Sequence, residues 1–331
     1  MNILITGSTG FVGSHMVDYL LANAPSARIF ATRRWRSSNE NIKHLGHEPR
    51  VSFHECDLLE RSSLRNVIQF SQPDYVFHFA AQSFPKTSFD LPIDTLTTNI
   101  IGTTNLLEEL RFARDVSICD PTIVSVSSSE VYGVTTEEEI PITEKNSIRA
   151  AKPYSISKVG HDLMSQYYYS AYGLKVVITR MFSHEGPRRG KEFALSSFAY
   201  QIVQHEKKST HSDTPLPIYV GNLDSVRTYA HVADAVHAYW LAGTKGIPGE
   251  VYNIGGTYTC TVGDALESLL SKSIIARQQF EVIVDKNKLR LTDITLQISD
   301  CSKFKQATGW EPKKSFNNII EDLLNYWRYD L

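Results

Sequence analysis

With 331 residues, the chain is long enough for one large domain or for two domains that share a cleft, and its 42% hydrophobic and 21% charged residues are typical of globular proteins. The net charge of −2 gives no reason to expect nucleic acid or a membrane as a partner, and no apolar run approaches the roughly 20 residues that span a bilayer. The lack of a signal-peptide pattern and the four widely spaced cysteines predict a cytoplasmic protein with reduced thiols, and the eleven histidines show no metal-binding spacing, so we predict no metal.

The first 180 residues alternate short β-branched or aromatic runs with longer helical patterns. Six runs predict strands: Ile3–Thr6, Arg28–Thr32, Val51–Glu55, Tyr75–Phe79, Thr122–Val126 and Val176–Thr179. Four patterns predict helices: Phe11–Asn23, Ser62–Phe70, Thr97–Ala113 and Tyr154–Tyr172. Apolar strands separated by helices indicate a parallel sheet that is buried on both faces, which is a Rossmann-like doubly wound α/β fold.

After Arg180, prolines and glycines divide the chain into shorter elements. Helices are predicted near Phe193–His205, Val232–Gly243, Val262–Lys272 and Phe316–Tyr329. No Ser-, Gly- or Pro-rich linker separates the two parts, so we expect the second part to pack over the open edge of the sheet with a cleft between. We therefore predict a dinucleotide-binding domain over residues 1–180 and a smaller α/β substrate-binding cap over 181–331, from which some segments return to the first domain.

A glycine turn follows the first predicted strand in the segment ILITGSTGFVGSH, residues 3–15. Gly7 permits a tight turn, Gly10 lets the backbone approach a pyrophosphate, and Gly13 lets the helix pack closely on the strand. The N-terminus of the following helix would then face the anion. Glycine-rich turns are common for conformational reasons alone, but this position directly after an apolar first strand favours a dinucleotide cofactor.

The end of the second predicted strand indicates which dinucleotide is bound. The segment from Ala31 to Ser38 reads ATRRWRSS and has no acidic residue to hold a ribose 2′-hydroxyl. Arg33 and Arg34 suit a 2′-phosphate, so NADP is favoured over NAD, although such a segment alone is more often a solvated basic loop. Asp57, after the third strand, is placed to meet the adenine.

A polar ledge is predicted where the fifth strand ends. Ser128 and Glu130 follow that strand, and Tyr154 and Lys158 lie four residues apart, on one face of a predicted helix. A lysine beside a phenol lowers the pKa of the phenol, and a serine and a carboxylate on the same ledge add a hydrogen bond and a second base. Each residue alone is more often structural; only the combination predicts a catalytic site.

Together these motifs resemble the extended short-chain dehydrogenase/reductase family: the three glycines, Asp57-Leu58, Ala80–Ser83, Ser128 and Tyr154-x-x-x-Lys158. Within that family the chain is similar to the GDP-mannose 4,6-dehydratases. The segments that carry this likeness are RRWRSSN (33–39), AAQSFPKTSFDLP (80–92), SSSEVYG (127–133), SHEGPRRG (183–190) and GNLDSVR (221–227). A related group, the GDP-4-keto-6-deoxymannose reductases, shares the serine and glutamate.

The resemblance implies a redox-neutral elimination by Ser128, Glu130, Tyr154 and Lys158. Tyr154, with its pKa lowered by Lys158, takes the sugar C4 hydroxyl proton while Ser128 holds that hydroxyl, and Glu130 removes the C5 proton before water leaves from C6. The dTDP-glucose dehydratases carry Asp where this chain has Ser129. The implied cofactor-binding residues are Gly7, Thr9, Gly10, Phe11, Val12, Gly13, Arg33, Arg34, Asp57, Leu58, Ala80, Ala81, Ser83, Tyr154, Lys158, Met181 and His184.

The implied substrate is a nucleoside-diphosphate sugar, most simply a GDP-sugar. Arginines recognise its diphosphate, and the implied contacts are Ser83, Ser128, Glu130, Ser183, Arg189, Arg227, Arg290 and Asp293. Ser183 and Ser197 replace the family's Asn and Lys, and Thr228-Tyr229 replace Asp-Trp, so a GDP-heptose or another modified hexose is an alternative to GDP-mannose.

Three alternatives remain open from the sequence: a 4-keto-sugar reductase, a nucleotide-sugar epimerase, or an NADP-binding regulator without catalysis. The tyrosine-rich face of the Tyr154–Tyr172 helix resembles the helix through which the family dimerises, and the arginine loop resembles one that joins tetramers. We therefore expect a homodimer or a homotetramer.

Overall fold

A computed structural model describes residues 1–208, 214–289, 292 and 294–330 of the chain. Its strands are β1 Asn2–Thr6, β2 Arg28–Arg33, β3 Val51–Glu55, β4 Tyr75–His78, β5 Thr122–Val126, β6 Val176–Met181, β7 His184–Glu185, β8 Leu216–Val220, β9 Val226–His231, β10 Val251–Ile254, β11 Tyr258–Thr261, β12 Phe280–Val284 and β13 Leu296–Gln297. Its helices are α1 Phe11–Asn23, α2 Arg61–Ser71, α3 Pro85–Asp90, α4 Pro92–Leu96, α5 Gly102–Asp115, α6 Pro153–Tyr172, α7 Ala194–Lys208, α8 Val232–Lys245, α9 Val262–Ser271, α10 Ser302–Thr308 and α11 Phe316–Asp330.

The main sheet has seven strands in the order β10-β6-β5-β4-β1-β2-β3, and every neighbouring pair is parallel. Helices α1 and α8 cover one face of this sheet, and α2, α5 and α6 cover the other. Both faces are therefore buried, which explains why the strands are continuously apolar. The predicted Rossmann-like doubly wound α/β fold is confirmed.

The strand order reverses between β1 and β4, because the chain runs from β1 through β2 to β3 and then crosses back to β4, β5 and β6. Parallel strands place all their carboxyl ends at one edge, and a doubly wound sheet binds its ligand where the order reverses. The residues that follow β1, β4, β5 and β6 therefore meet at one place.

The second part of the chain builds a smaller layer with its own core. Strand β9 pairs with β11, β13 and β7, and β8 pairs with β12. Helices α7, α9 and α11 pack their apolar faces against these strands. Strand β10 and helix α8, although they lie beyond residue 180, belong to the main sheet and its covering layer.

One helix begins earlier than predicted. The helix expected to start at Thr97 is preceded by α4, which begins at Pro92, and a π-helical turn over Thr97–Ile101 joins α4 to α5. Proline is well suited to the first turn of a helix because that position needs no backbone N–H donor.

Candidate active site

A cleft of about 1370 Å³ lies between the carboxyl edge of the main sheet and the second layer. It is lined by all of the predicted site residues that the structure describes: Gly7, Thr9, Gly10, Phe11, Val12, Gly13, Arg33, Arg34, Asp57, Leu58, Ala80, Ala81, Ser83, Ser128, Glu130, Tyr154, Lys158, Met181, Ser183, His184, Arg189 and Arg227. Arg290 and Asp293 lie outside the described residues. Residues from both parts of the chain thus face one cavity.

The glycine turn after β1 is packed too closely for side chains. Gly7 has φ +72°, and a Cβ there would lie 2.8 Å from the backbone nitrogen of Ala80. A Cβ on Gly13 would lie 2.2 Å from the carbonyl oxygen of Gly7. Gly10 immediately precedes α1, and no side chain caps the first turn of that helix. The free N–H groups of that turn face the cleft and form a cradle that suits a pyrophosphate.

The arginine loop lies at the rim of the same cradle. Arg33 donates to Asn39 Oδ1 at 2.9 Å and stacks over the Phe53 ring, and Arg34 is exposed. Within the described part of the chain, neither arginine is ion-paired with a carboxylate, so both can turn toward an anion. Asp57, nearby, accepts a hydrogen bond from the backbone of Leu59 at 2.9 Å.

Buried polar contacts fix helix α6 against the sheet. Asp162 receives two hydrogen bonds from Arg180, at 2.9 and 3.1 Å, which tie α6 to β6. His161 contacts Thr103 at 2.9 Å and Ser125 at 2.7 Å, which tie it to α5 and β5. These bonds hold the N-terminal turns of α6, which carry Tyr154 and Lys158, at the carboxyl end of β5.

Ser128, Glu130 and Tyr154 line the same cleft, and Glu130 and Ser128 both influence Tyr154. Burial and the nearby charge of Glu130 raise the pKa of Tyr154, while a hydrogen bond with Ser128 and the charge of Arg189 act in the opposite direction. Ser128 begins a short helical turn and accepts a hydrogen bond from the backbone of Glu130 at 3.2 Å. The three side chains therefore share one environment.

The predicted lowering of the Tyr154 pKa by Lys158 is wrong for this structure. Lys158 donates instead to the carbonyl oxygen of Val126 at 2.6 Å, and burial lowers the pKa of Lys158 to about 7. Desolvation penalises the charged form of both groups, so it raises the pKa of the phenol and lowers that of the ammonium. A further positive charge beside the phenol is needed to shift its pKa downward.

The carboxylate of Glu130 is held by two residues to which the sequence analysis assigned no role. Lys152 donates to Glu130 Oε1 at 2.8 Å, and Ser155 donates to Oε2 at 3.4 Å. Ser129, which stands where the dTDP-glucose dehydratases carry Asp, also lines the cleft and donates to Gln297 Oε1 at 2.5 Å. Glu130 is thus the carboxylate beside Tyr154, and no acid follows Ser128 directly.

Arg189 enters the cleft from the second layer. Its guanidinium lies 3.5 Å from the ring centre of Phe193 and 5.0 Å from that of Phe11, in the glycine turn. Burial lowers its pKa, and its Nε lies 3.7 Å from Glu185 Oε2. His184, stacked on Phe11, is neutral at neutral pH because burial lowers its pKa to about 3.

Glu185 was not predicted as a site residue, although it stands in the motif SHEGPRRG. It lines the cleft, is 5% exposed, and burial raises its pKa to about 7. Several buried polar atoms of cleft residues have no hydrogen-bond partner: Ser127 Oγ, His184 Nε2, Glu185 Oε2, Arg189 Nε and Tyr239 OH. Such atoms are costly unless a ligand or water satisfies them, so the cleft is built for a polar ligand.

The remaining predicted substrate contacts lie on the far wall. Arg227 donates to the backbone of Val226 and of Ile294, and its side chain is half-buried. Ser183, Ser197 and Tyr229 also line the cleft. No helix among the described residues is long and apolar enough to cross a membrane. No group of three or more His, Cys, Asp or Glu side chains in that part of the chain could hold a metal ion.

Comparison with known sequences agrees with this geometry. The family described as GDP-mannose 4,6 dehydratase matches residues 4–323. The dTDP-glucose 4,6-dehydratase of Escherichia coli is 28% identical over 348 residues, which cover 99% of this chain and 93% of that protein. The GDP-6-deoxy-D-mannose reductase of Pseudomonas aeruginosa is 28% identical over 326 residues, which cover 98% of this chain and 96% of that protein.

Solved structures are similar over the full length. RMD from Pseudomonas aeruginosa, complexed with NADPH, superposes with a TM-score of 0.81 at 26% identity and covers 100% of both chains. DesIV, a dTDP-glucose 4,6-dehydratase from Streptomyces venezuelae with NAD bound, superposes with a TM-score of 0.84 at 27% identity and covers 100% of this chain and 98% of its own. These relatives include both nicotinamide dinucleotides and more than one reaction type.

Proposed function

The chain belongs to the GDP-mannose 4,6-dehydratase family of extended short-chain dehydrogenase/reductases, and on that premise we propose that it is an NADP-dependent GDP-sugar 4,6-dehydratase. The observation that carries the proposal is the convergence of Ser128, Tyr154 and Glu130 in the cleft. A phenol and a carboxylate on one ledge suit the removal of two protons, one from the C4 hydroxyl oxygen and one from C5. Elimination requires both, whereas plain alcohol oxidation requires only the first.

The cleft fits a nicotinamide dinucleotide. The glycine cradle and the uncapped N-terminus of α1 would hold its pyrophosphate, and Arg33 and Arg34 would hold a 2′-phosphate. When bound, the oxidised nicotinamide would supply reversible hydride transfer, from C4 and back to C6, so no external reductant would be consumed. The arginines and the lack of an acid at the end of β2 support NADP over NAD.

The proton of the C4 hydroxyl goes to Tyr154, while Ser128 accepts or donates a hydrogen bond at the same oxygen. Burial raises the pKa of Tyr154, so the phenol becomes a competent base when a further positive charge approaches it. Lys158 is fixed by the carbonyl oxygen of Val126 in the same cleft and remains partly charged near neutral pH, since burial lowers its pKa to about 7.

Glu130 takes the C5 proton, which the neighbouring C4 ketone has made acidic. The C6–O bond then breaks, and the proton passes from Glu130 to the departing hydroxyl, so that water leaves. With Ser129 turned to Gln297, we propose that Glu130 performs both transfers in place of a separate Asp. When C6 is reduced, C5 receives a proton drawn from solvent through Glu130, Tyr154 releases the C4 hydroxyl proton to solvent, and the product is a 4-keto-6-deoxy sugar.

The diphosphate of the sugar nucleotide is assigned to Arg189 and Arg227, since guanidinium groups bind phosphate through two parallel hydrogen bonds. Ser83 and Ser183, at the cleft wall, are assigned to the sugar, and the replacements at Ser183 and Ser197 keep a GDP-heptose or another modified hexose as an alternative to GDP-mannose. We propose that catalysis occurs in a homo-oligomer in the cytoplasm.

A 4-keto-sugar reductase is the second candidate, because the Pseudomonas aeruginosa reductase is as similar to this chain as the dehydratases are. A dTDP-sugar is the second candidate for the nucleotide, since the Escherichia coli relative acts on dTDP-glucose.

One assay separates these candidates. The purified chain is incubated with GDP-mannose, a GDP-heptose or dTDP-glucose and a catalytic amount of NADP or NAD, and the sugar nucleotide is analysed by mass spectrometry. We expect the loss of one water from a GDP-sugar with catalytic NADP. Water loss from dTDP-glucose alone would overturn the GDP assignment, and product formation only from a keto sugar with stoichiometric NADPH would overturn the dehydratase assignment.

A further inference from the structure

We infer that Lys152 is a positioning residue for the elimination step, and that it acts by holding and charge-balancing Glu130. The inference rests on the proposed function, because it concerns the carboxylate that would remove the C5 proton. Lys152 does not line the cleft, so it acts through Glu130 and does not touch the substrate.

The contacts place Lys152 directly behind the carboxylate. Its Nζ lies 2.8 Å from Glu130 Oε1, and its side chain is 1% exposed, whereas that of Glu130 is 20% exposed. Ser155, itself fully buried, donates to the other oxygen at 3.4 Å. One side of the carboxylate is therefore anchored by α6 and the residue before it, and the other side faces the cavity.

A lysine this deeply buried is unusual and needs an explanation. Burying an ammonium costs several kcal/mol unless a partner offsets the desolvation, and an ion pair in the interior is often no more stable than an apolar pair of similar size. Surface ion pairs elsewhere in the chain, such as Lys175 with Asp120 at 2.5 Å, carry no such cost. A contribution to stability therefore does not explain why a lysine is buried at position 152. The need to orient Glu130 as a base does explain it.

The chemistry of the elimination step explains how an ammonium group beside Glu130 would assist catalysis. Glu130 must receive a proton from C5 and release it to the oxygen that leaves C6, because Ser129 provides no second acid there. An ammonium beside Oε1 stabilises the carboxylate before the transfer and again after the release, so the proton moves on to form water. It also fixes, together with Ser155, the direction of Oε2, and a misplaced base costs about 100-fold in rate.

The position of Lys152 allows two roles, and these roles predict different effects on the two chemical steps. The residue immediately precedes α6, whose first turn carries Tyr154. If Lys152 merely supported that helix, its loss would disturb C4 oxidation by Tyr154 as much as the later elimination. If it serves Glu130, only the loss of the C5 proton and of water suffers.

The experiment compares Lys152→Met, Lys152→Gln and Lys152→Arg with the wild type and with the control Lys175→Met, which removes an exposed ion-paired lysine. C4 oxidation is followed in a single turnover by the absorbance of the nicotinamide, and elimination by deuterium uptake at C5 and by loss of water. Cofactor binding and thermal unfolding show that each variant is folded; if Lys152→Met does not fold, Lys152→Gln, which retains a hydrogen-bond donor, replaces it.

We expect Lys152→Met to slow C5 exchange and water loss about 100-fold and Lys152→Gln about 10-fold, with C4 oxidation changed less than about threefold. Lys152→Arg should recover most of the elimination rate, and Lys175→Met should match the wild type. Equal loss of both steps, or normal elimination in Lys152→Met, would overturn the inference. Absence of water loss in the wild type itself would overturn the proposed function, and this inference with it.

Discussion

Burial controls the proton affinities of the side chains around the cleft. It raises the pKa of Tyr154, lowers that of Lys158 to about 7 and raises that of Glu185 to about 7. Each shift has the sign that desolvation of the charged form requires. At the scale of single residues, burial therefore favours the neutral forms of these three side chains, and charged or polar ligands are needed to stabilise their ionised forms.

Glu185 should make the stability of the protein depend on pH. Its pKa is raised from 4.5 to about 7 by burial, so the folded state binds this proton more tightly than the unfolded chain does. The stabilisation is complete below about pH 4.5 and is lost as the pH rises through about 7. Glu185→Gln should therefore gain up to about 3 kcal/mol in free energy of unfolding relative to the wild type at pH 8, and much less at pH 5.

Chemical denaturation of both proteins at the two pH values measures this difference. Glu192→Gln, which changes an exposed carboxylate of the same cleft, is the control and should show no such difference. Parallel pH profiles for the wild type and Glu185→Gln would contradict the assignment of a raised pKa to Glu185.

Arg33 and Arg34 should decide between the two dinucleotides. Hydrogen bonds to a charged group contribute about 1.5–3 kcal/mol each, so each of the single variants Arg33→Ser and Arg34→Ser should weaken NADP binding about 10- to 100-fold and change NAD binding little. Titration of each cofactor by fluorescence measures both affinities. Arg36→Ser is the matched control, because Arg36 stacks on Trp35 and does not line the cleft. An equal effect on NAD and NADP would rule out a 2′-phosphate contact.

At the scale of elements, the glycine turn and the start of α1 form one tightly packed unit. The Gly7 carbonyl lies where a Cβ on Gly13 would be, and the Gly10 amide donates to the same carbonyl at 3.0 Å. The close contact brings the N-terminus of α1 to the edge of β1. Helix α6 is held in a comparable way by its hydrogen bonds to β5 and β6. The glycine cradle and the catalytic residues therefore both depend on the packing of a helix against the sheet.

Gly13→Ala should damage both folding and cofactor binding. Its Cβ would lie 2.2 Å from a backbone oxygen, and since backbone must move, we expect a loss of about 1–3 kcal/mol in stability and a cofactor affinity at least about 10-fold weaker. Gly46→Ala is the control, because its φ is −57° and a Cβ there would meet its nearest atom at 3.6 Å. Thermal unfolding and cofactor titration give the result; a Gly13→Ala protein equal to Gly46→Ala would refute the packing argument.

At the scale of the whole molecule, one apolar surface is left exposed by two adjacent helices. Helices α5 and α6 pack side by side on the sheet, and large apolar side chains on and near them are 44–51% exposed: Ile101, Phe112, Ile156, Leu163 and Tyr167. Large exposed apolar side chains on two neighbouring helices are consistent with a protein interface. It agrees with the expectation of a homodimer or homotetramer, which stays a prediction.

Leu163→Glu should dissociate the oligomer, because it places a charge in the centre of the α6 face where burial would leave it unpaired. Light scattering after size-exclusion chromatography measures the molar mass. Ile274→Glu is the control, since Ile274 is 78% exposed and lies away from α6. A monomeric wild type, or an unchanged mass for Leu163→Glu, would contradict the assigned interface.

Local sequence patterns were sufficient to predict much of the fold and those parts of the candidate site that are formed by local motifs. Apolar runs and helical periods predicted β1 to β6 and the four long helices between them, because these patterns reflect the period of each element and burial on one or both faces. The glycine turn and the Tyr154–Lys158 pair were predictable for the same reason, since their spacing is local. The division at residue 180 and the role of each site residue remain predictions.

Only the tertiary structure decided what depends on residues distant in sequence. Strand β10 completes the main sheet beside β6, and Ser129 bonds with Gln297, 168 residues away. The pairing of Lys152 with Glu130 and the burial that raises the pKa of Tyr154 have no signal in local spacing, because desolvation and ion pairing are set by what surrounds a group in space. The sequence by itself determined which chemical groups are available and where the local motifs lie. Their protonation states and orientations depend on tertiary packing, because burial and distant partners set them.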